Sequence, residues 1–328
     1  MEHRTLGKTG FQVSAISLGT WQLGGKWGAP FSPRTARQTI HQAVDAGINF
    51  FDTADVYREG LSEQTLGRVL ATRSEQVYVA TKCGRQINPH TNVNYTPQAL
   101  RQYVEGSLQN MGIETLDLIQ LHCPPPEVYQ RPEIFGLFED LQREGKIQHM
   151  GVSVEKIAEA EQALAFDNVT TIQIIFNIFR PRPAESLFQQ AAEKNVGIIV
   201  RVPLASGLLT GKYALNTTFD KQDHRNFNRD GAAFDKGETF SGVPYEKGLQ
   251  AVREIKQMFP EQQSLAPIAL RWVLDHPQVS TVIPGASNPQ QAIDNLQALK
   301  MPALNSEQHR QLSEVYASHI KPLVHHLW

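Results

Sequence analysis

Cysteine, net charge and long apolar runs are all scarce in this sequence, and each scarcity excludes a class of protein. Two cysteines cannot build a disulfide framework, so a reducing cytoplasm is the expected location. No apolar run approaches the ~20 residues that span a bilayer, and the N-terminus lacks the apolar core of a signal peptide. With 31 basic and 33 acidic residues, the chain is expected to bind neither nucleic acid nor a membrane.

Nucleotide-binding fingerprints are also missing. No G-x-G-x-x-G follows any predicted strand, which argues against a Rossmann-type dinucleotide site. The segment SGLLTGK (206–212) is similar to a phosphate-binding loop but fails the Walker pattern. Ser206 stands in place of its first glycine, and Tyr213 follows Lys212 where a serine or threonine is required. No metal site is expected.

Eight short, largely β-branched apolar runs alternate with segments of helical periodicity. Nearly continuous runs of this kind are typical of parallel strands that are buried on both faces. Eight strand–helix units in a chain of 328 residues predict an α/β fold, the (β/α)₈ TIM barrel. The runs are AISL (15–18), INFF (48–51), VYVA (77–80), LDLIQL (116–121), IQHMGV (147–152), TIQII (171–175), VGIIV (196–200) and STVI (280–283).

Three segments fall outside this alternation. Residues 4–14 predict an N-terminal β-hairpin, and residues 306–328 predict extra C-terminal helices. Residues 212–245 are polar, and a long excursion of this kind is usually a functional or a mobile loop. Because no linker interrupts the pattern, residues 1–328 are interpreted as one domain.

Capping residues mark where several helices begin and end. Thr96-Pro97 offers an N-cap followed by a first-turn proline, and Gly112 is placed to end the same helix. Ser62 is predicted to cap the helix that follows the second barrel strand.

Polar residues stand where almost every predicted strand ends. In such barrels the chemistry lies at the carboxyl ends of the strands, so these residues are expected to share one mouth. Runs two, three and four end at Asp52, Lys82 and His122, and Tyr57 lies on the loop just after Asp52. Each of these residues alone is more often structural, but their placement on consecutive strand ends predicts a site.

The four side chains suit the donation of a proton to a carbonyl oxygen. The pKa of a free tyrosine lies near 10, and a neighbouring Lys82 ammonium is expected to lower it. Asp52 is expected to hold Lys82 through an ion pair, and His122 to donate a hydrogen bond to the substrate oxygen. Because the set contains no hydride source, a nicotinamide cofactor is expected to supply one.

Seven motifs in order resemble those of the aldo-keto reductase superfamily. They are FFDTADVYREGLSEQTLG, YVATKCG, DLIQLHCPP, GKIQHMGVS, IQIIFN, GIIVRVPLASGLLTGKY and VIPGASNPQQAIDN, and GTWQLGGKWG and HHLW are similar to the bacterial, inositol-utilisation-type branch. The resemblance implies a barrel that reduces aldehydes and ketones reversibly with NADPH, with NADH as a possible substitute. It also implies a catalytic tetrad of Asp52, Tyr57, Lys82 and His122.

The resemblance implies further contacts. Ser153 and Gln173 would bind the nicotinamide carboxamide, residues 206–212 the pyrophosphate, and Ser287, Gln291 and Asn295 the adenosine end. The implied substrate pocket consists of Trp21, Trp27, Tyr57 and His122, with Tyr95 and the aromatic tail as further candidates for its wall. The full implied cofactor set is Thr20, Trp21, Asp52, Ser153, Gln173, Arg201, Pro203, Leu204, Ser206, Gly207, Leu208, Thr210, Lys212, Gly285, Ser287, Gln291 and Asn295.

This sequence departs from the family pattern at three places. Val154 replaces an asparagine that often binds the carboxamide, and Arg201 replaces a tyrosine that often stacks on the nicotinamide ring. The segment from Gly285 to Gln291 is neutral where a basic residue often reads the 2′-phosphate. A basic residue of the long segment, among Lys221, Arg225 and Arg229, is the expected substitute, and NADPH is expected to be favoured less strongly than usual.

Two other functions compete with reduction. A Schiff-base aldolase or isomerase would use Lys82 as the nucleophile, although an ion-paired lysine stays protonated. A cofactor-binding regulatory subunit, similar to the channel-associated relatives of the family, would keep the same residues.

Cys83 and Cys123 directly follow Lys82 and His122 in the sequence. A further hypothesis is that oxidation of these thiols reduces activity. The identity of the small carbonyl substrate and the oligomeric state stay open.

Overall fold

Eight parallel strands form the barrel that the sequence predicts, and a computed structural model describes all 328 residues. The strands follow one another around the barrel in chain order. Isolated bridges from Ile16 to Val282 and from Gly19 to Gly285 join its first and last strands. The barrel strands are β3 (Leu18–Gly19), β4 (Phe50–Asp52), β5 (Tyr78–Cys83), β6 (Leu116–His122), β7 (Ile147–Ser153), β8 (Val169–Ile175), β9 (Gly197–Arg201) and β10 (Val279–Val282).

The predicted N-terminal hairpin is confirmed, and it covers the amino ends of the strands. Its strands β1 (His3–Thr5) and β2 (Gln12–Ser14) pair antiparallel. Leu6 from its turn joins Phe50, Leu118 and Ile199 in an apolar cluster inside the barrel. This end of the barrel is therefore closed, which leaves the carboxyl ends of the strands as the open mouth.

Amphipathic helices cover the outside of the barrel. Thr96 caps the helix that begins at Pro97, and Gly112 ends that helix in the left-handed region, with φ of 67°. The helices are α1 (Pro33–Asp45), α2 (Leu61–Leu70), α3 (Pro97–Met111), α4 (Pro132–Arg143), α5 (Ile157–Ala163), α6 (Leu187–Glu193), α7 (His224–Phe227), α8 (Tyr245–Met258), α9 (Ala266–Leu274), α10 (Pro289–Asn295), α11 (Ser306–Val315) and α12 (Lys321–Val324).

The prediction that Ser62 caps α2 is wrong. Gly60 occupies the N-cap position with φ of 84°, and Ser62 lies inside the first turn, fully buried. Its hydroxyl donates to Thr20 Oγ1 (2.8 Å) and accepts from Thr53 Oγ1 (2.9 Å). Ser62 therefore joins the loops after β3 and β4.

The long polar segment 212–245 is an ordered cover over the mouth of the barrel. It contains α7 and two short 3₁₀ turns (Lys236–Glu238 and Phe240–Gly242). Asn177, after β8, donates to Ser241 Oγ (2.9 Å), and Ser206 donates to the carbonyl of Glu238 (2.9 Å). These contacts fix the segment against the loops that follow β8 and β9.

The C-terminal helices extend the cover and do not enter the barrel. The ring of Trp328 lies 4.1 Å from the guanidinium of Arg180, in the loop after β8. No helix is both long and apolar enough to cross a membrane. The interpretation of residues 1–328 as a single domain stays a prediction.

Candidate active site

A buried chain of polar contacts joins three of the four predicted catalytic residues at the mouth. Asp52 ends β4, Lys82 is the last residue but one of β5, and both side chains are almost completely buried. Lys82 Nζ donates to Asp52 Oδ1 (2.5 Å), to the carbonyl of Thr53 (2.8 Å) and to Tyr57 OH (3.3 Å). The ammonium therefore uses its three protons, and one of them points at the phenol.

Two glutamines hold the other oxygen of Asp52. Gln173 Nε2 lies 2.7 Å from Asp52 Oδ2, and Gln120 Nε2 lies 3.3 Å from it. Gln173 was predicted to bind the nicotinamide carboxamide, and in the structure its amide nitrogen is used by Asp52. Gln120 was missed, although it stands two residues before His122 on β6 and so faces the same side of the strand.

The expected lowering of the pKa of Tyr57 is not the net result. Burial raises this pKa to about 12, and the charge of Lys82 opposes the rise without cancelling it. Burial also disfavours the charged form of Lys82, but Asp52 and Tyr57 outweigh burial and raise its pKa. At neutral pH the site therefore holds a protonated phenol beside a protonated ammonium, which is the pair that a proton donor needs.

His122 is neutral and faces the phenol. Burial, followed by the positive charge of Lys82, lowers its pKa well below the usual range. The rings of Tyr57 and His122 lie 6.0 Å apart, edge to face, and no protein group bonds to His122 Nδ1. A neutral imidazole keeps one N–H, so His122 can still donate a hydrogen bond to a ligand in the cleft.

The loop that carries Tyr57 has an unusual backbone. Arg58 and Glu59 both adopt left-handed conformations, with φ of 52° and 55°, just before Gly60. Arg58 donates to the carbonyls of Ala29 (3.2 Å) and of Lys26 (3.3 Å), in the loop after β3. A left-handed backbone conformation is unfavourable for every residue except glycine. The hydrogen bonds of Arg58 therefore hold a strained turn in the loop that carries Tyr57.

One elongated cleft of about 380 Å³ crosses the mouth from the tetrad to α10. Asp52, Tyr57 and His122 line it, whereas Lys82 lies behind them. The predicted cofactor residues that line it are Thr20, Trp21, Asp52, Ser153, Gln173, Arg201, Pro203, Leu204, Ser206, Gly207, Thr210, Lys212, Gly285, Gln291 and Asn295, and Trp27 lines it as predicted for the substrate pocket.

Four predicted lining residues lie elsewhere. Leu208 is completely buried, and Ser287 is buried against Gln291 Oε1, to which its hydroxyl donates (3.0 Å). Tyr95 is buried behind the mouth, where its phenol contacts His90 Nε2 (2.8 Å), and Trp328 lies on Arg180 outside the cleft. Gly19, Ile283 and Pro284, at the ends of the first and last predicted runs, also line the cleft. The cleft residues that sequence reasoning did not single out are Gln22, Val202, Tyr213, His224, Glu238, Ser264, Ala266 and Asp294.

The guanidinium of Arg201 is held at the cleft wall by acceptors from two directions. Its two terminal nitrogens lie 3.3 Å from Glu238 Oε1 and 3.1 Å from the carbonyl of Val154. The second of these nitrogens also lies 3.6 Å from the sulfur of Cys123. Glu238, from the long segment, therefore offsets the positive charge of Arg201 at the cleft wall.

Neither cysteine has the features of a reactive thiol. Burial raises the pKa of Cys123 to about 12 and raises that of Cys83 well above its usual value. Both thiols stay protonated at neutral pH, and a protonated, buried thiol oxidises slowly. The oxidation hypothesis therefore has little support in the geometry.

Positive charge gathers at the middle of the cleft. Lys212 and Arg225 both line it, and burial together with Arg225 and Lys26 lowers the pKa of Lys212. Of the three basic residues predicted to substitute for a missing phosphate ligand, only Arg225 reaches the cleft. Its guanidinium is already bound to both carboxylate oxygens of Asp223 (2.9 and 2.6 Å), which reduces its free charge.

Comparison with known proteins identifies the family. The model of the "Aldo/keto reductase family" matches residues 15–317. The chain belongs to this family. Over 96% of the chain and 93% of the relative it is 29% identical to "Aldo-keto reductase YhdN" of Bacillus subtilis (strain 168). Over 90% and 88% it is 32% identical to "Putative voltage-gated potassium channel subunit beta" of Schizosaccharomyces pombe (strain 972 / ATCC 24843).

Solved structures are similar over nearly the whole chain. The glycerol dehydrogenase AKR11B4 from Gluconobacter oxydans has a TM-score of 0.77 and 29% identity, covering 97% of this chain and 96% of that one. Aldo-keto reductases use NAD(P)H and act on small carbonyl compounds. This chain is accordingly an NAD(P)H-dependent oxidoreductase.

Proposed function

We propose that this aldo-keto reductase reduces aldehydes and ketones to alcohols, reversibly, with Tyr57 as the general acid. The contact of Tyr57 OH with Lys82 Nζ, at 3.3 Å, carries the proposal. It places a protonated phenol between a fixed positive charge and the open cleft. His122 adds a second donor on the same side of the cleft.

The residues of the cleft fit a nicotinamide dinucleotide. Gln173 keeps its amide oxygen free for a carboxamide N–H, and Ser153 lines the cleft next to it. Positive φ at Ser206 and Gly207 turns the backbone after β9, beside Lys212, which offers the positive charge that a pyrophosphate requires. Gln291 and Asn295 lie at the far end, as expected for the adenosine. When bound, such a cofactor supplies the hydride.

Each residue of the tetrad has a distinct part in the proton transfer. The substrate oxygen accepts hydrogen bonds from Tyr57 OH and from the His122 N–H. As negative charge develops on that oxygen, the O–H bond of Tyr57 breaks and its proton completes the alcohol. The phenolate that remains is stabilised by the ammonium of Lys82, which Asp52 holds in place. Reversal of the same steps oxidises an alcohol.

NADPH is proposed as the preferred cofactor, with NADH accepted at a modest disadvantage. Arg225 in the cleft supports a phosphate contact. Its pairing with Asp223 and the neutral segment from Gly285 to Gln291 both limit the discrimination. Relatives in Escherichia coli and Schizosaccharomyces pombe carry the names "NADH-specific methylglyoxal reductase" and "Aldo-keto reductase yakc [NADP(+)]", so both preferences occur among similar proteins.

The test is a carbonyl panel assayed with NADPH and with NADH. The names of relatives suggest that methylglyoxal and L-glyceraldehyde 3-phosphate belong in it. Tyr57→Phe is expected to reduce turnover by at least a hundredfold, because it removes the acid and leaves the cleft unchanged in shape. Tyr78→Phe, at the closed end of the barrel, is the matched control and should be close to wild type. Undiminished turnover in Tyr57→Phe would contradict the proposal.

The two competing functions predict different results. A Schiff base needs a neutral lysine, whereas the pKa of Lys82 is raised by Asp52 and Tyr57 against the effect of burial. Borohydride should therefore trap no substrate adduct on Lys82. A regulatory subunit would bind the dinucleotide, show negligible turnover on every carbonyl and copurify with a partner, which the similarity to a putative channel subunit makes worth measuring.

A further inference from the structure

An aromatic wall stands next to the phenol of Tyr57, and the long segment contributes to it. The wall consists of Trp21 and Trp27, from the loop after β3, and His224, from α7. Trp21 stacks on His224 (5.1 Å, 30° between planes) and lies parallel to Tyr57 (6.2 Å, 20°). Trp27 meets the edges of both Trp21 (4.5 Å) and His224 (5.1 Å). The wall therefore borders the place where a carbonyl would react.

His224 is the polar member of this wall. The residue is 4% exposed and lines the cleft. One ring nitrogen, Nδ1, lies 3.0 Å from Thr239 Oγ1. The other, Nε2, has no hydrogen-bond partner in the protein and keeps some surface accessible to solvent. Nε2 is therefore the atom that His224 presents to the cleft.

The surroundings of Thr239 decide which nitrogen of His224 carries the proton. Thr239 Oγ1 already accepts a hydrogen bond from Asn228 Nδ2 (3.2 Å), and both residues are buried. The hydroxyl proton of Thr239 has one acceptor within reach, which is His224 Nδ1. Burial lowers the pKa of His224 to about 4, so the ring is neutral, and a hydrogen bond from the Thr239 hydroxyl to Nδ1 favours the tautomer with its proton on Nε2. The wall thus offers an N–H donor to a ligand.

We propose that His224 donates this hydrogen bond to a hydroxyl oxygen of the substrate, so that the protein selects hydroxylated aldehydes and ketones over their unsubstituted analogues. The inference rests on the proposed carbonyl reduction and names its substrate class. An unsubstituted chain would displace water from the Nε2 donor and leave it unpaired, which is unfavourable for a donor that is mostly buried. The faces of Trp21 and Trp27 remain available to the C–H groups of either kind of substrate.

The experiment compares kcat/KM for DL-glyceraldehyde and for propanal, which share a three-carbon chain and differ in hydroxyl groups. The wild type is expected to favour glyceraldehyde. His224→Phe keeps a ring against Trp21 but removes the donor, so the glyceraldehyde-to-propanal ratio should fall by about tenfold. His224→Gln retains an N–H donor and should recover much of the ratio. His276→Phe, in an aromatic cluster away from the cleft, is the matched control and should leave the ratio unchanged.

The outcomes separate this inference from the proposed reaction. An unchanged ratio in His224→Phe, with both aldehydes still reduced, would overturn the inference and leave carbonyl reduction standing. If the wild type reduces neither aldehyde, binding of both is measured by calorimetry with oxidised dinucleotide present. A glyceraldehyde preference that His224→Phe abolishes would then support the inference although the proposed reaction fails. Equal binding of the two aldehydes to the wild type would overturn the inference as well.

Discussion

Removal of either charge of the Asp52–Lys82 pair should destabilise the protein more than removal of both. The two charged groups lie 2.5 Å apart, with side-chain exposures of 3% and 1%. At an effective dielectric constant of about 20 their attraction is on the order of 6 kcal/mol. Burial of each ion costs several kcal/mol, which offsets most of this attraction. A single substitution loses the attraction but keeps one buried charge.

The expected loss of stability in each single variant depends on the hydrogen-bond partners that remain for the unpaired charge. In Lys82→Met the carboxylate of Asp52 keeps the amides of Gln173 and Gln120, so a loss of about 3 kcal/mol is expected. In Asp52→Asn the ammonium keeps only neutral acceptors, namely the carbonyl of Thr53, the phenol of Tyr57 and the new amide oxygen, so a loss of about 5 kcal/mol is expected. The double variant buries no charge and should lose only about 1–2 kcal/mol.

The assay is a double-mutant cycle by chemical denaturation, followed by circular dichroism and checked by calorimetry. The coupling energy should be about 6 kcal/mol, and Lys82→Met should melt about 6 °C below the wild type, at roughly 2 °C per kcal/mol. The exposed pair Arg310 and Glu307 is the matched control, and its cycle should give a coupling energy close to zero because solvent screens the two charges. Additive losses at Asp52 and Lys82 would refute this account of the pair.

Three further predictions concern charge and strain around the cleft. Burial and a neighbouring glutamate raise the pKa of Asp55 to about 7, so the folded protein keeps a proton that the unfolded chain loses near pH 4. The free energy of unfolding of the wild type therefore falls as the pH rises from about 4 to 7. Asp55→Asn should be a few kcal/mol more stable than wild type at pH 8 but not at pH 4. The exposed Asp230→Asn is the control and should show no such difference between the two pH values. Glu59→Gly should raise the melting temperature, because glycine adopts the left-handed conformation without the strain of about 1 kcal/mol that a side chain adds. A lower melting temperature would contradict strain at that turn. Arg201→Tyr should strengthen binding of oxidised relative to reduced dinucleotide, and Glu238→Gln should weaken it. The measurement is a titration of each variant with both redox forms. A ratio of the two dissociation constants that equals the wild-type ratio would disprove the charge argument.

The strands and their end residues could be predicted because a barrel constrains them strongly. Buried parallel strands need apolar runs, and a polar residue at the end of such a run stands at the mouth of the barrel. Adjacent strands lie about 4.8 Å apart, so Asp52 and Lys82, on neighbouring strands, had to come close. The positions of these strand-end side chains were therefore predictable from the order of the runs alone.

Contacts that depend on side-chain packing could not be predicted in this way. The position of Ser62 depends on hydroxyl partners from two distant loops, and the sequence shows only a serine near a helix start. The pKa of Tyr57 depends on how completely the cleft wall buries it, which no spacing in the sequence reveals. Glu238 and His224 lie in a segment without periodicity, so nothing in their neighbours indicated that they face the mouth.

The cleft therefore divides into two parts that differ in physical origin. Strand ends hold Asp52 and Lys82 through the spacing of the sheet, so this ion pair does not depend on the conformation of the long segment. The long segment places His224 and Glu238 by local packing alone, so substitutions there can change the ligand without disturbing Lys82. Arg201 is where the two parts meet, since β9 holds its backbone and Glu238 holds its guanidinium. Variation in substrate and redox preference among similar proteins should consequently concentrate in residues 212–245, with the tetrad unchanged.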